Sequence, residues 1–362
     1  MKPEFPLVAA RLQKLRSQFA LIGVDAFLVT FPPHLRYLSG FSGSNGAGLV
    51  GARGGVLLTD GRYADQVRSE VRNWRIAICE DGVLEEIKHR RLLQNGQRVG
   101  FDGNTVTYGQ YRLFKKTFPR VVFRPRVGCI EKIAAVKDED EIAKIRQAVA
   151  ITDRVFSEIL GMIKPGLREL DLSAEISYRQ RKYGAEADAF ETIVASGERG
   201  ALPHGRASMK KIARREMITL DFGCVYEGYH SDMTRTVALG RPTAEARKIY
   251  YAVLDAQLRA VEAARSGMKT GDLDAVARTC IRRNGYDRYF RHSLGHGLGL
   301  QIHEPPRISV LSTSILEAGN VVTIEPGVYI AGVGGVRIED DVVIRHGHCE
   351  VLNHSPKELI VL

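Results

Sequence analysis

The stretch "LDFGCVYEGYHSDMTRT", residues 220–236, has the alternating pattern of a β-hairpin with a turn at Glu227-Gly228. Each arm carries an aspartate among apolar neighbours, Asp221 on the first and Asp232 on the second. That turn places Asp221 opposite Thr234 with Asp232 diagonal to it, whereas a turn one residue earlier places the two aspartates opposite each other. In either register both carboxylates share one face, about 5–8 Å apart at Cβ.

A second hairpin repeats this pattern in "VVTIEPGVYIAGVGGVRIEDDVVI", residues 321–344. Glu325 lies on its first arm and Glu339 on its return arm, with a glycine-rich turn between them. Ionised carboxylates that are close and buried repel each other, so such a site needs either a bound proton or a cation. The two hairpins therefore predict a buried site that carries four acids.

Histidines occur between and before these hairpins. The segment "RHSLGHGLGLQIHEPP", residues 291–306, contains His292, His296 and His303, and the upstream loop "LPHG" contains His204. Four carboxylates with one imidazole suit two divalent ions in a shared cage. The oxygen-rich ligand set favours Mn²⁺ or Co²⁺, with Zn²⁺ also compatible, and the absence of thiolates argues against a structural zinc site.

The composition predicts a cytoplasmic globular protein. The chain has 362 residues, of which 44% are hydrophobic and 26% charged, values that suit two packed domains. Its five cysteines include no CxxC pair, which favours a reducing compartment. The most apolar run, "FALIGVDAFLVTF", is interrupted by Asp25 and is too short to cross a bilayer, so we expect no membrane association.

The net charge of +10 is concentrated at one end of the chain. Residues 1–130 contain 20 Lys and Arg against 10 Asp and Glu, which accounts for the whole excess. A basic domain can attract polyanions, but this one has no polybasic run, zinc finger or RNP-type aromatic motif. A solvated or oligomer-facing surface is therefore favoured over nucleic-acid binding.

Periodicity divides the chain into two parts. The first part is an α/β unit with a helix over 6–23, a strand over 24–31 and a hairpin turning at 53–55. A second long helix begins after Asp138, with acids in its first turn. We place the boundary just before that helix, which gives domains over 1–130 and 131–362.

The second domain contains an internal echo. "MIKPGLRELDLSAEI" (162–176) and "GMKTGDLDAVARTCI" (267–281) share a lysine, a glycine turn, a leucine, an aspartate and a helical pattern, and each follows a long helix. The echo predicts two similar α/β halves with a cleft between them.

With these motifs the sequence resembles the superfamily of creatinase, methionine aminopeptidase and prolidase. The motifs are "LDFG…HSDMTRT", "HSLGHGLGL", "IHEPP", "TIEPGVYI" and "GVRIEDD". The resemblance implies an α/β (α+β) protein whose C-terminal pita-bread domain has pseudo-twofold halves and follows a smaller creatinase-type N-terminal α/β domain. The N-terminal "YLSGFSGSNGAG…LLTDGRYADQ" is similar to the first domain of Xaa-Pro aminopeptidases and prolidases.

The resemblance also implies roles for individual residues. The expected ligands of two divalent metal ions are Asp221, Asp232, His296, Glu325 and Glu339. Asp232 and Glu339 would bridge the two ions, Asp221 would complete one of them, and His296 with Glu325 would complete the other.

The expected catalytic residues are His204 and His303, which would flank the scissile carbonyl, and Glu325, which would also transfer a proton. His292, Arg337 and Tyr329 match positions near the substrate pocket.

The function implied is that of an Xaa-Pro aminopeptidase, which cleaves before a proline in second position through a hydroxide held between the two ions. An Xaa-Pro dipeptidase is the alternative because it shares every motif. A non-catalytic binding member of the superfamily is disfavoured because all five ligands are present. The family further suggests a homodimer.

Overall fold

The computed structural model describes residues 5–362, with side chains described from Leu7 onward. The chain separates into two compact units that divide between Ala134 and Ala135. Helix α7 (Cys129–Ala135) contains both this division and residue 130, where the sequence places the domain boundary. None of the helices in residues 5–362 combines the length and apolarity needed to cross a bilayer.

The N-terminal unit is built on a six-stranded mixed sheet in the order β4-β3-β2-β1-β5-β6. Strand β1 pairs antiparallel with β2 and parallel with β5. The elements are α1 (Phe5–Ser17), α2 (Phe19–Ile22), β1 (Ala26–Val29), α3 (Pro32–Ser39), β2 (Ala47–Gly51), β3 (Gly55–Asp60), α4 (Ala64–Glu70), β4 (Arg75–Cys79), α5 (Val83–His89), β5 (Arg98–Asp102), α6 (Tyr108–Thr117), β6 (Val122–Arg126) and α7.

Two local predictions for this unit are confirmed with adjusted limits. The helix expected over 6–23 is divided at Gln18 into α1 and α2, and it ends at Gly23 in the left-handed conformation that a C-terminal glycine adopts easily (φ 67°). The β2–β3 hairpin turns at 52–54, where the Gly51 N–H donates to the Gly54 carbonyl over 2.8 Å.

The second unit begins with helix α8 (Glu139–Leu160), whose start agrees with the prediction. The Asp138 side chain accepts from the Glu141 N–H at 3.0 Å, and the Glu141 side chain accepts from the Asp138 N–H at 3.1 Å. This reciprocal capping satisfies two N–H groups that the first turn would otherwise leave unpaired. The spaced apolar residues, such as Ile142 and Ile145, form the buried face of the helix.

The internal echo corresponds to a structural repeat. Helix α8 is followed by α9 (Glu169–Lys182), and the long helix α10 (Ala244–Ala263) is followed by α11 (Thr270–Arg283). The glycine before each short helix donates over 2.8 Å to an equivalent carbonyl, Gly166 to Ile212 and Gly267 to Leu316. Each half also has its own apolar core, so the pseudo-twofold halves are confirmed.

Short strands line these halves. They are β7 (Ala187–Asp188), β8 (Ile193–Ser196), β9 (Glu216–Phe222), β10 (Cys224–Tyr226), β11 (Tyr229–His230), β12 (Met233–Leu239), β13 (Gly295–Gly297), β14 (Glu304–Ile308), β15 (Val321–Ile324), β16 (Gly327–Ile330), β17 (Gly334–Arg337), β18 (Asp340–Ile344) and β19 (Cys349–Val351). The sheets have the orders β11-β10-β7, β12-β9-β8, β14-β13-β15-β18-β19 and β16-β17.

The opening hairpin adopts the first of the two possible registers, with Asp221 opposite Thr234. Its turn residues Glu227 and Gly228 both have positive φ, 47° and 84°, as a two-residue hairpin turn requires. The pairing is interrupted at Gly223, where an added Cβ would lie 1.8 Å from the Ser231 carbonyl oxygen. This close approach is the point at which the chain leaves the ladder just before Asp232.

The second hairpin is also interrupted, which corrects one expectation. Ile324 pairs with Asp340 and Gly327 pairs with Arg337, so Glu325 and Glu339 lie between paired segments and outside the strands proper. Their N–H groups donate to other segments, Glu325 to the Leu294 carbonyl at 2.8 Å and Glu339 to the Thr234 carbonyl at 3.1 Å. Both bonds replace ladder bonds, and the bond from Glu339 to Thr234 joins the two halves of the unit.

Candidate metal centre

A cleft of about 920 Å³ lies within the second unit, and nearly every predicted site residue lines it. Those residues are Asp221, Asp232, His296, Glu325, Glu339, His204, His303, His292 and Arg337. They come from β9, β13, β17 and the interruptions of both hairpins, together with three loops. The exception among the predicted residues is Tyr329, which is 3% exposed and lies behind the lining.

The centre of this cleft brings carboxylates and an imidazole together. Candidate ligand atoms of Asp232, His296 and Glu339 all lie within 4.8 Å of one another. The Nε2 atom of His296 lies 3.7 Å from Oδ2 of Asp232 and 3.6 Å from Oε1 of Glu325. These separations leave room for a cation between the groups, because metal–ligand bonds to nitrogen and oxygen are about 2.0–2.2 Å long.

The His296 ring is held in the orientation that a metal ligand needs. Its Nδ1 lies 3.1 Å from the Gly297 carbonyl oxygen, so Nδ1 carries the proton and Nε2 presents its lone pair to the carboxylates. The His296 backbone N–H donates to Thr323 Oγ1 at 3.1 Å. Burial, with His303 nearby, lowers the pKa of His296 to about 4, which keeps the ring neutral.

The carboxylates cannot all be ionised on their own. Burial, reinforced by neighbouring acids, raises the pKa of Asp232 and of Glu325 well above the usual range and that of Glu339 to about 8. Among the described residues, Oδ1 of Asp221 is buried without a hydrogen-bond partner. A buried set of oxygen donors that repel one another and are partly unpaired fits divalent cations.

Arg337 supports one side of the site. Its Nε donates to Thr234 Oγ1 at 3.0 Å, its Nη1 to the Tyr329 hydroxyl at 2.5 Å and to the Pro203 carbonyl at 3.2 Å, and its Nη2 pairs with Asp221. A guanidinium beside a carboxylate offsets part of the negative charge that the cleft accumulates.

His292 is linked to Arg337 through Tyr329. Because Arg337 donates to the Tyr329 hydroxyl, that hydroxyl donates in turn to His292 Nε2 at 2.9 Å. His292 Nδ1 lies 2.8 Å from the Ser293 carbonyl oxygen and therefore carries the ring proton. Burial lowers the pKa of His292 to about 3, so the ring is neutral and both nitrogens are occupied within the protein.

His204 and His303 lie at the exposed rim of the cleft. The His303 ring packs edge-on against His296, with ring centroids 4.3 Å apart. Burial and the proximity of His204 lower the pKa of His303. Both histidines lie on loops and line the same cleft as the carboxylates.

Three supporting residues were missed by sequence reasoning. Thr234 Oγ1 donates to Glu339 Oε2 at 2.6 Å, Thr323 Oγ1 lies 3.4 Å from Glu325 Oε1, and Asp341 Oδ2 accepts from the Asp232 N–H at 2.9 Å. Each supporting residue stands two positions from a predicted ligand. That spacing places side chains on one face of an extended chain, and it is the signal that could have found them.

A buried ion pair holds the backbone beneath the site. Arg235 is 1% exposed, and its Nη2 donates to Asp340 Oδ1 at 2.7 Å and to the Ser355 carbonyl at 2.9 Å. The same guanidinium also donates to the Glu339 carbonyl. The C-terminal segment therefore fixes the strand interruption that presents Glu339.

Two protein-family models match most of the chain. The model of Metallopeptidase family M24 matches residues 143–346, and that of the Creatinase/Prolidase N-terminal domain matches residues 11–136. A Pyrococcus furiosus protein named Xaa-Pro dipeptidase is 38% identical over 356 residues, which cover 97% of this chain and 99% of that protein.

Solved structures are similar over nearly the whole chain. An Xaa-Pro dipeptidase from Bacillus anthracis has a TM-score of 0.94 at 41% identity and covers 98% of this chain and 100% of its own. An X-Pro aminopeptidase from Thermotoga maritima MSB8 has a TM-score of 0.88 at 38% identity and covers 96% of this chain and 100% of its own.

Proposed function

We propose that this chain, which belongs to metallopeptidase family M24, hydrolyses the peptide bond between an N-terminal residue and a following proline. The observation that carries the proposal is the cluster of Asp232, His296 and Glu339 within 4.8 Å, in a cleft that also contains Asp221 and Glu325. Relatives named for Xaa-Pro cleavage, similar over nearly their full lengths, support the choice of bond.

We propose two divalent ions as the cofactor, Mn²⁺ first, with Co²⁺ or Zn²⁺ as alternatives. Asp232 and Glu339 would contact both ions, Asp221 would complete one, and His296 with Glu325 would complete the other. When bound, such a pair supplies an acidified water and polarises the substrate carbonyl. An X–Pro bond has no N–H, so a site that acts on the carbonyl suits it.

The protein's own groups would complete the reaction. Glu325 Oε1 lies 3.6 Å from His296 Nε2, where it can accept a proton from the attacking water and deliver it to the proline nitrogen. His204 and His303 would donate to the oxygen that becomes negative as the carbonyl is attacked. These roles give a function to the two histidines at the rim, neither of which belongs to the carboxylate cluster.

Arg337, His292 and Tyr329 would shape the substrate side of the cleft. Arg337 and His292 line it, and Tyr329 acts through both of them from behind the lining. We therefore propose Tyr329 as a positioning residue, because its hydroxyl fixes the two groups that the substrate meets.

Two features of the cleft favour substrates of different length. The cleft volume of about 920 Å³ lies near the upper end for ligand pockets, which favours the Xaa-Pro aminopeptidase. Arg307 lines the same cleft, is exposed, and has no carboxylate within ion-pair range among the described residues. A free guanidinium there suits the carboxylate of a dipeptide's proline and favours the Xaa-Pro dipeptidase.

Further proposals concern the whole chain. We propose residues 1–130 and 131–362 as the functional domains, a homodimer as the assembly and the cytoplasm as the location. Exposed apolar side chains such as Leu21 and Val127 offer surface to a second copy, and the free cysteines suit a reducing compartment. Sedimentation of the purified chain would test the dimer.

The experiment that tests the function is a substrate-length series. Metal-loaded protein is assayed on an X-Pro dipeptide, on X-Pro-Y and on the matched X-Ala peptides. Release of the first residue from X-Pro peptides with little release from X-Ala is the expected result. Arg307→Met is the diagnostic variant, because it should raise KM for the dipeptide far more than for X-Pro-Y if the guanidinium binds the proline carboxylate.

A further inference from the structure

Glu169, the first residue of α9, is a fully buried carboxylate outside the metal centre. Its Oε1 accepts from the N–H and the hydroxyl of Ser196, both at 2.8 Å. Its Oε2 accepts from the Ser208 hydroxyl at 2.7 Å, the Ser208 N–H at 3.2 Å and Arg199 Nε at 3.0 Å. One carboxylate thus ties together both ends of residues 196–208, called the 196–208 loop below.

That loop carries two groups of the proposed site. The Pro203 carbonyl accepts from Arg337 Nη1 at 3.2 Å, and His204 lines the cleft. Arg199 closes the loop on itself through a 2.5 Å hydrogen bond from its Nη2 to the Arg206 carbonyl. The His204 ring makes no hydrogen bond to another described residue, so its place in the cleft depends on the backbone that bears it.

The pseudo-twofold repeat shows that the fold itself does not require a carboxylate here. Thr270 begins α11 as Glu169 begins α9, and its hydroxyl donates to Ser312 Oγ at 2.7 Å. A hydroxyl is therefore sufficient at this corner of the second half. Burying a charge is costly unless it is paired and hydrogen-bonded. The more costly of the two arrangements therefore occurs in the half that presents His204.

We propose that Glu169 is a positioning residue of the reaction, whose carboxylate holds the 196–208 loop so that His204 faces the scissile carbonyl. This inference rests on the proposed function, in which His204 stabilises the developing negative charge. Glu169 acts through the loop and does not touch the substrate.

A double-mutant cycle tests the inference in the metal-loaded full-length chain. Glu169→Gln keeps the side-chain volume, but an amide nitrogen cannot accept the hydrogen bonds that one carboxylate oxygen accepts. With His204 present, Glu169→Gln should lower kcat for an X-Pro dipeptide about tenfold and leave KM within about twofold. In the His204→Ala background the same change should lower kcat by less than about twofold, because the positioned group is already absent.

Glu158→Gln provides a matched control. Glu158 is also a carboxylate with several donors, including the Tyr183 hydroxyl at 2.6 Å and Arg154 Nε at 3.2 Å, but it lies near the end of α8 and does not line the cleft. Its kcat should equal that of the wild type. If Glu169→Gln lowers kcat equally in both His204 backgrounds, or has no effect in either, the inference is overturned.

Hydrogen exchange tests whether Glu169 holds the 196–208 loop, independently of activity. Amides within 197–207 should exchange at least about tenfold faster in Glu169→Gln than in the wild type, with 216–222 unchanged. Ser208→Ala removes a single donor and should give a smaller increase in the same segment if Glu169→Gln folds poorly. Unchanged exchange in both variants would contradict the inference. A wild type that cleaves no X-Pro peptide would defeat the proposed function, while the exchange result would still show whether Glu169 holds the loop.

Discussion

Nε2 of His296 lies 3.7 Å from Oδ2 of Asp232, two groups that come from different halves of the second unit. Neither half alone contains a complete set of ligands, since Asp221 and Asp232 belong to one half and His296, Glu325 and Glu339 to the other. The site therefore depends on the repeat, because its two similar halves line a common cleft and each contributes part of the ligand set.

Asp232→Asn should separate function from stability. The variant loses a bridging ligand, so we expect the metal content to fall and kcat/KM for an X-Pro peptide to drop by at least about 10³-fold. The metal-free variant should nevertheless be as stable as the metal-free wild type or more so, because one of the mutually repelling buried acids becomes neutral. Metal analysis and thermal unfolding of both proteins check this; a clear loss of stability without metal would contradict it.

His204→Ala should leave the metal centre intact. The ring lies at the rim of the cleft, so two ions should remain bound while kcat falls by about 10²–10³-fold, the usual cost of removing a donor to a developing oxyanion. His354→Ala is the control, since His354 is exposed and does not line the cleft. Loss of metal from His204→Ala would show that this histidine is a ligand instead.

Thr234→Val should weaken metal binding without removing a ligand. The change keeps the shape of the side chain but deletes the hydroxyl that donates to Glu339 and accepts from Arg337. We expect the affinity for the metal to fall about 10–100-fold, as for other residues that orient a ligand. Thr219→Val on the neighbouring strand is the control, and calorimetric titration of metal-free protein gives the affinities. Equal affinities of the two variants would rule out the orienting role.

Some features of the fold and of the site were predictable from sequence because they depend on residues that are close together in the chain. The Asp221–Thr234 register follows from the Glu227-Gly228 turn, and the start of α8 follows from the Asp138 capping pattern. Hairpin turns and helix caps are short-range signals, so the neighbouring residues fix them.

The parts that escaped prediction depend on long-range contacts. The hairpin interruptions at Gly223 and Glu325 arise where the chain bonds to segments far away in sequence, such as Leu294. Glu169 begins a helix and therefore reads as an ordinary acidic first turn, while its partners Ser196 and Ser208 are 27 and 39 residues away. Pairings of this kind follow from the tertiary fold and produce no periodic pattern in the sequence.

Lys137→Met should destabilise the second unit. Lys137 Nζ lies 2.8 Å from Glu304 Oε2, and both side chains are nearly buried, so the variant leaves an uncompensated carboxylate beside His303. We expect a loss of about 3–5 kcal/mol in the free energy of unfolding, much of it regained in the double variant with Glu304→Gln. Arg282→Met, which breaks an exposed pair with Asp287, should cost no more than about 1 kcal/mol. Urea unfolding of metal-loaded protein measures each value; similar losses for the two single variants would contradict the expectation.

The stability gained from metal should grow with pH. Burial raises the pKa of Glu339 to about 8 from an ordinary value of 4.5, so the metal-free fold favours its protonated form. Below the ordinary pKa this preference costs nothing. As pH rises from there towards 8 the metal-free fold loses stability, because the unfolded chain releases the Glu339 proton while the fold still holds it. Bound metal requires the ionised form, so the difference in Tm between loaded and metal-free protein should widen from about pH 5 to about pH 8. Glu339→Gln should flatten the metal-free curve, and a difference independent of pH would count against the buried acids as ligands.

The most direct test of the metallopeptidase account is a metal titration followed by activity. Chelator-treated protein is reloaded stepwise with Mn²⁺, and bound metal and release of the first residue from an X-Pro dipeptide and from X-Pro-Y are measured on the same samples. The account predicts two ions bound per chain, with hydrolysis of X-Pro bonds appearing as the ions bind. Protein that takes up no divalent metal, or that cleaves X-Pro peptides equally well without it, would contradict the account.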